Sequence, residues 1–137
     1  MAVTPNSIIT PQTPKQVVNV VTTAETSYTT PVNTALLFVA GANGSRLTKL
    51  TSIPRATVTA TNLLLFTNAA PSNTSLFLID SVLMSANTLA TTTAVPKTDW
   101  GYSDNTALYI AANASVYVSA QVALANGIVT KAEYADY

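Results

Sequence analysis

The sequence predicts an all-β protein, an antiparallel β-sandwich, and three observations carry that reading. Apolar runs rich in β-branched residues alternate with turn clusters at spacings of about 8 to 15 residues, the rhythm of a sandwich or barrel. Helical periodicity is weak throughout. The segment 115–122 alternates strictly, with Val116, Val118, Ala120 and Val122 on one face and Ser115, Tyr117, Ser119 and Gln121 on the other, the period of a strand with one buried side. At 137 residues the chain fits one domain, and a fold of that size buries roughly two thirds of the surface its unfolded chain exposes.

Residues 1–15 carry Pro5, Pro11 and Pro14 among Thr, Ser, Asn and Gln, which suits neither helix nor central strand and reads as an extended N-terminal arm, held by a neighbouring subunit. The sandwich then occupies residues 16–137, with strands expected at 16–24, 34–41, 46–53, 57–68, 75–84, 88–92, 106–110, 115–124 and 128–134. Asn43-Gly44 and Asn126-Gly127 predict hairpins, because both residues of a type I′ turn need positive φ, which Asn and Gly tolerate best. Pro54 ends the strand that carries Leu47, Leu50 and Ile53, and Ala70-Pro71-Ser72-Asn73 separates two apolar strands as a surface turn. Leu63-Leu64-Leu65-Phe66 and Leu76-Phe77-Leu78-Ile79 are apolar at every position. Such strands need cover on both sides, and in a two-layer sandwich a second subunit supplies the outer cover more easily than the fold does.

Composition narrows the chemistry. The chain has no His and no Cys, which removes thiolate metal sites, the commonest zinc ligand and the commonest base near neutral pH. Six basic and six acidic residues cancel, so nucleic acid, whose phosphates must be neutralised in numbers, is not an expected partner. A near-zero net charge also does little to oppose association, as suits an assembly subunit. The longest apolar runs, 35–42 and 76–79, have strand length, well short of the roughly 18 residues of a membrane span. The opening residues lack the basic and apolar regions of a secretion signal, so synthesis in a host cytoplasm is expected.

Few residues stand out as a site. The loop 97–105 gathers Trp100, Tyr102, Gly101, Asp99 and Asp104. It is either a binding loop with Trp100 and Tyr102 as anchors, or a connection whose aromatics fold back to plug the sandwich. Asp99, Asp104 and Asn105 match no calcium-loop spacing, and two Asp in one loop are more often turn formers than a glycosidase pair, so no metal, cofactor or catalytic residue is assigned. Without His, only a Ser-Lys arrangement would activate a serine, and nothing marks such a pair; the chain is read as no enzyme. Arg46, Lys49 and Arg55 hold half of the positive charge within ten residues, either to meet acidic patches on a partner or to keep a strand edge solvated. Tyr137, at the end of the sequence, either docks in a partner's groove or closes the last strand. The three Asn-x-Ser/Thr matches, at Asn43, Asn73 and Asn113, are what chance supplies in a chain so rich in these residues.

The run Ser45-Arg46-Leu47-Thr48-Lys49-Leu50-Thr51-Ser52-Ile53-Pro54-Arg55-Ala56, the block Phe77-Leu78-Ile79-Asp80-Ser81, the loop Asp99-Trp100-Gly101-Tyr102-Ser103 and the ending Ala132-Glu133-Tyr134-Ala135-Asp136-Tyr137 resemble small virion proteins of tailed bacteriophages, in particular the jelly-roll cementing or decoration proteins of phage capsids. The resemblance implies a jelly-roll-like sandwich, self-association as a homodimer or homotrimer, and attachment to the major capsid protein on the outside of the head, with no nucleic acid or membrane as partner. Arg46, Lys49, Arg55, Trp100, Tyr102 and Tyr137 are the residues expected to meet partners. Two other roles suit the composition: a tail, baseplate or fibre component, and a carbohydrate-binding module in which Trp100 and Tyr102 stack on sugar.

Overall fold

The computed structural model describes residues 10–68 and 74–137. It is all-β, with nine strands and no helix among the described residues: β1 (Thr13–Val21), β2 (Ala35–Val39), β3 (Ser45–Pro54), β4 (Thr61–Asn68), β5 (Leu76–Met84), β6 (Thr98–Asp99), β7 (Leu108–Ile110), β8 (Ser115–Ala120) and β9 (Ile128–Asp136). They form two antiparallel sheets packed face to face. Sheet A has the order β1-β9-β3-β6, with β7 also paired to β3, and sheet B has the order β2-β8-β4-β5. The chain therefore changes sheet at every connection except β4 to β5 and β6 to β7.

Alternation places the core. From sheet A, Leu47, Leu50, Ile128 and Ala132 point inward; from sheet B, Phe38, Leu63, Leu65, Val116, Val118 and Ala120 meet them, all buried. Phe38 of β2 stacks on Tyr134 of β9 with ring centroids 4.0 Å apart, joining the two sheets directly. Each fully buried Leu or Val contributes about 1.5–3 kcal/mol relative to an exposed one, so this interdigitation is what selects the register. Among the buried polar groups, the Ser52 and Thr130 hydroxyls pair at 2.9 Å, whereas the Ser119 hydroxyl is buried with no hydrogen-bond partner among the described residues.

Several expectations are corrected here. Neither Asn-Gly turn makes a hairpin. The Gly44 N–H donates to the Gly41 carbonyl at 3.0 Å and the Gly127 N–H to the Leu124 carbonyl at 2.8 Å, so both are tight turns. Yet β2 and β8 belong to sheet B, while β3 and β9, which follow them, belong to sheet A. Positive φ is confined to the glycine in each turn (Gly44 90°, Gly127 80°), whereas a type I′ turn would need it at Asn43 and Asn126 as well. At Gly127 space matters too, since a Cβ there would lie 2.2 Å from Cγ1 of Val20.

Residues 88–92 form no strand; only Asn87 bridges to Val58. Four of those five residues are Thr or Ala with no apolar alternation to bury, and the chain instead enters sheet A briefly as β6. β1 starts at Thr13, so residues 13–15 of the expected arm are strand, in register opposite Asp136, Ala135 and Tyr134 of β9. β8 stops at Ala120, short of the expected 124, because the chain turns there toward the other sheet. The turn expected at 70–73 lies outside the described residues, as do residues 1–9 of the arm.

Candidate partner-binding surface

The outer face of sheet A is charged and engaged with itself. Lys49, Thr51 and Ile53 of β3, Val129, Lys131 and Glu133 of β9, Val18 of β1 and Lys97 line a shallow open depression of about 360 Å³. Lys49 Nζ reaches Asp99 Oδ2 at 3.3 Å. The Asp99 carboxyl is held below its usual range first by the Gly101 N–H, which donates to it at 2.8 Å, against the opposing effect of burial, and then by Lys49. Beside the depression, Lys15 pairs with Asp136 at 2.6 Å. Burial pushes the Asp136 carboxyl up, but the Lys15 ammonium, the Ser45 hydroxyl and the Gly41 N–H together hold it below its ordinary value.

Sheet B has the opposite character. Its four strands contain a single charged residue, Asp80, whose carboxylate accepts from the Tyr102 hydroxyl. Asp80 opposes the inward-pointing Leu65, so it adds nothing to the outer face. Leu36 and Val39 of β2 and Leu78, Ile79 and Leu83 of β5 are exposed, with Leu83 at 61% and Phe77 at 51%.

Between those two exposed strips the outer face is covered by the chain itself. Leu64 and Phe66 alternate with the core residues Leu63 and Leu65, stand apart from the central cluster, and are still 0% exposed. The β1–β2 connection crosses this region: the Tyr28 hydroxyl donates to Gln121 Oε1 at 3.2 Å, and residues 29–32 share a depression with Thr74, Ser75 and Leu76 at the start of β5. A line from Gln121 to Leu76 passes over β4, which lies between β8 and β5. The cover expected from a second subunit is thus supplied for β4 within the chain, while the exposed side chains of β5 lie beyond its reach.

Glu25 holds that loop in shape. It is 2% exposed, and its carboxylate accepts from the backbone N–H groups of Ser27 at 2.9 Å, Val32 at 2.6 Å and Asn33 at 2.6 Å, while Asn33 Nδ2 donates to the Ala24 carbonyl at 2.9 Å. The two ends of the loop are tied together, as in an Ω-loop. Burial pushes the Glu25 carboxyl up, and the N–H groups of Asn33, Ser27, Val32 and Thr26 outweigh it, leaving the group below the usual carboxylate range. Sequence reasoning passed over Glu25; its signal is an acidic residue with no cation nearby, followed by the turn formers Ser27, Pro31 and Asn33.

The residues expected to meet partners are scattered. Trp100 is 7% exposed and packs in the core, with Nε1 donating to Ser52 Oγ at 3.1 Å; it plugs the sandwich and offers no ring face to a partner or a sugar. Tyr102 is half-buried against the core, and its hydroxyl is raised well above its usual pKa, first by burial and then by the bond to Asp80. Arg46 donates to the Asp104 carbonyl, and its register partner Tyr109 packs near Tyr137, ring centroids 6.0 Å apart. Tyr137 continues the last strand, its N–H donating to the Gly44 carbonyl at 3.1 Å. Arg55 is exposed just past β3. Among the described residues no group of three or more acidic side chains is placed to hold a metal.

Comparison of the chain with protein-family models, curated proteins and solved structures found no match.

Proposed function

We propose that this chain is a structural subunit of a phage virion, a cementing protein that binds the outside of the head and bridges major capsid protein subunits. The observation that carries the reading is the outer side of sheet B, where exposed Leu36, Val39, Leu78 and Leu83 stand on strands with no outward charge. Such a patch on a protein of zero net charge suits contact with protein and opposes it nowhere by repulsion. The strand order β1-β9-β3-β6 against β2-β8-β4-β5, with the chain crossing between sheets at most connections, supports the jelly-roll form of the sandwich and with it the resemblance noted above.

Attachment then centres on β2 and the Glu25 loop, with Tyr28, Val32, Leu36 and Val39 as apolar contacts, in place of Trp100. The energetics are mass action. A subunit that binds only the assembled shell stabilises it by its binding free energy, a contact of about 800 Å² per partner is sufficient, and repetition over the shell adds avidity.

The test mixes purified protein with expanded shells that lack it. Co-sedimentation and a higher shell melting temperature are expected, and Leu36→Lys/Val39→Lys should weaken binding by about tenfold or more. Shells that neither bind the protein nor gain heat resistance refute the reading. Antibody labelling of intact virions separates head from tail: signal confined to the tail assigns the protein to the tail, baseplate or fibre instead.

A further inference from the structure

We infer that the β1–β2 loop, residues 25–33, is a hinged lid over sheet B: it keeps its own shape, lifts without unfolding the sandwich, and uncovers one continuous apolar row. The inference goes beyond the reading above and needs nothing from it; a lid that opens on a chain indifferent to phage shells leaves it standing.

The row follows from the register. Leu36 of β2 faces Tyr117 of β8, Tyr117 faces Phe66 of β4, and Phe66 faces Leu78 of β5, so four side chains line up across the outer face. Its two ends are bare, with Leu36 45% and Leu78 36% exposed, while Phe66 in the middle is fully buried. The next row runs Ser119, Leu64, Ser81. Ser119 and Leu64 are fully buried too, although the central cluster lies on the opposite side of their strands. The loop is what stands between these side chains and water.

That loop is tied to itself far better than to the sheet. Glu25 gathers the N–H groups of Ser27, Val32 and Asn33, and Asn33 Nδ2 closes the base on the Ala24 carbonyl. The Ser27 hydroxyl accepts from the Thr30 N–H at 2.9 Å and lies 3.1 Å from the Thr30 hydroxyl. The base is fixed to β8, where the Glu25 N–H donates to the Ala120 carbonyl at 2.8 Å. Beyond that pivot, among the described residues, the side-chain bond that reaches the sheet is the Tyr28 hydroxyl to Gln121 Oε1, at 3.2 Å. The loop's apolar side chains do not anchor it, since Tyr28 is 49% and Val32 82% exposed. A unit stapled internally, pivoted at one end and latched by one long bond moves as a body.

The Ser119 hydroxyl adds an independent reason to open. It lies beneath the lid, next in sequence to the pivot at Ala120, with no hydrogen-bond partner among the described residues. Buried hydroxyls without partners are rare because they forfeit a bond to water, and lifting the lid restores that bond.

The chain has no Cys, so a single introduced thiol reports on the lid. Ser119→Cys places one beneath it, and Ala120→Cys, on the inner side of the same strand, places one in the core. With iodoacetamide under native conditions, Ser119→Cys should be alkylated at least about tenfold faster than Ala120→Cys, at a rate nearly independent of urea below the unfolding transition, as local opening requires. Adding Tyr28→Phe should speed the labelling of Ser119→Cys about two- to tenfold, the worth of one hydrogen bond. Equal rates and equal urea slopes at the two sites, or a Ser119→Cys rate that ignores Tyr28→Phe, overturn the proposal. Hydroxyl-radical footprinting of the unaltered chain decides where a cysteine variant does not fold: Leu64 should be oxidised more than the equally buried Leu47 and Leu50, and equal oxidation refutes the lid.

Discussion

Sheets A and B enclose one core and present opposite exteriors. The strands of sheet A carry Lys15, Arg46, Lys49, Asp99, Lys131, Glu133 and Asp136, while those of sheet B carry only Asp80. On sheet A, water completes the solvation of outward charges and the cross-strand partners are ions. On sheet B, outward positions are uncharged, with Leu, Val and Phe among Ser and Asn, and the protein covers the middle of them with its own loop and leaves both margins bare. The contrast teaches that burial on a nominally outer face need not signal a partner: Phe66 is as hidden as any core residue, and the chain alone hides it.

The sharpest way to break this comparison is to truncate matched outward positions. Phe66→Ala should cost about 3–5 kcal/mol in urea unfolding, and Ile53→Ala on the open face of β3 about 1 kcal/mol. Equal costs would show that the loop does not seal β4. Glu25→Gln should cost about 1.5–3 kcal/mol, because a neutral amide oxygen replaces a carboxylate that serves three backbone donors.

The same residue sets an acid response. Glu25 and Asp136 both titrate below their ordinary values when folded, so their contribution is complete above the unfolded pKa values of about 4.3 and 3.9 and is lost as pH falls through the lower folded ones. Unfolding free energy measured between about pH 5 and pH 2 should therefore decline, and less steeply in Glu25→Gln. An identical decline in that variant would assign the acid response to Asp136 and Asp99, the other carboxyls held below their ordinary range.

Ser52→Ala should cost about 1–3 kcal/mol, since it strands the Trp100 Nε1–H and the Thr130 hydroxyl inside the core, and it should shift the Trp fluorescence. Lys49→Ala, on the wet face of sheet A, should change stability by at most about 0.5 kcal/mol, because both members of its pair with Asp99 are nearly half exposed. A loss several times larger would mean that sheet A's exterior is less open than its charge pattern implies.

Strand positions were largely legible because the period-2 signal survives wherever one face is buried, as in β8, and because β-branched runs such as 16–21 rarely do anything else. The connections were not. Asn43-Gly44 announces a tight turn, and one is present, but local turn chemistry says nothing about which sheet receives the next strand. That choice belongs to distant partners: β3 is placed by β9, more than seventy residues away in sequence. β6 was invisible because two residues carry no period. Trp100 was ambiguous because an aromatic in a loop reads alike whether it points in or out, and only the buried Ser52 hydroxyl, contributed by another strand, decides it. The outer cover of β4 went to the wrong source because a loop rich in Ser, Thr and Pro does not advertise that a carboxylate will fold it flat.

The place of β9 in sheet A, between β1 and β3, governs how the molecule is made. A nascent chain holding only its first 120 or so residues has both neighbours of that strand ready and nothing to lay between them, so the sheet waits half built, with one open slot between two unpaired edges. Completion waits for residues 128–136 to emerge, and in the interval a chaperone, or the same segment of a sister chain, has its best opportunity to step in.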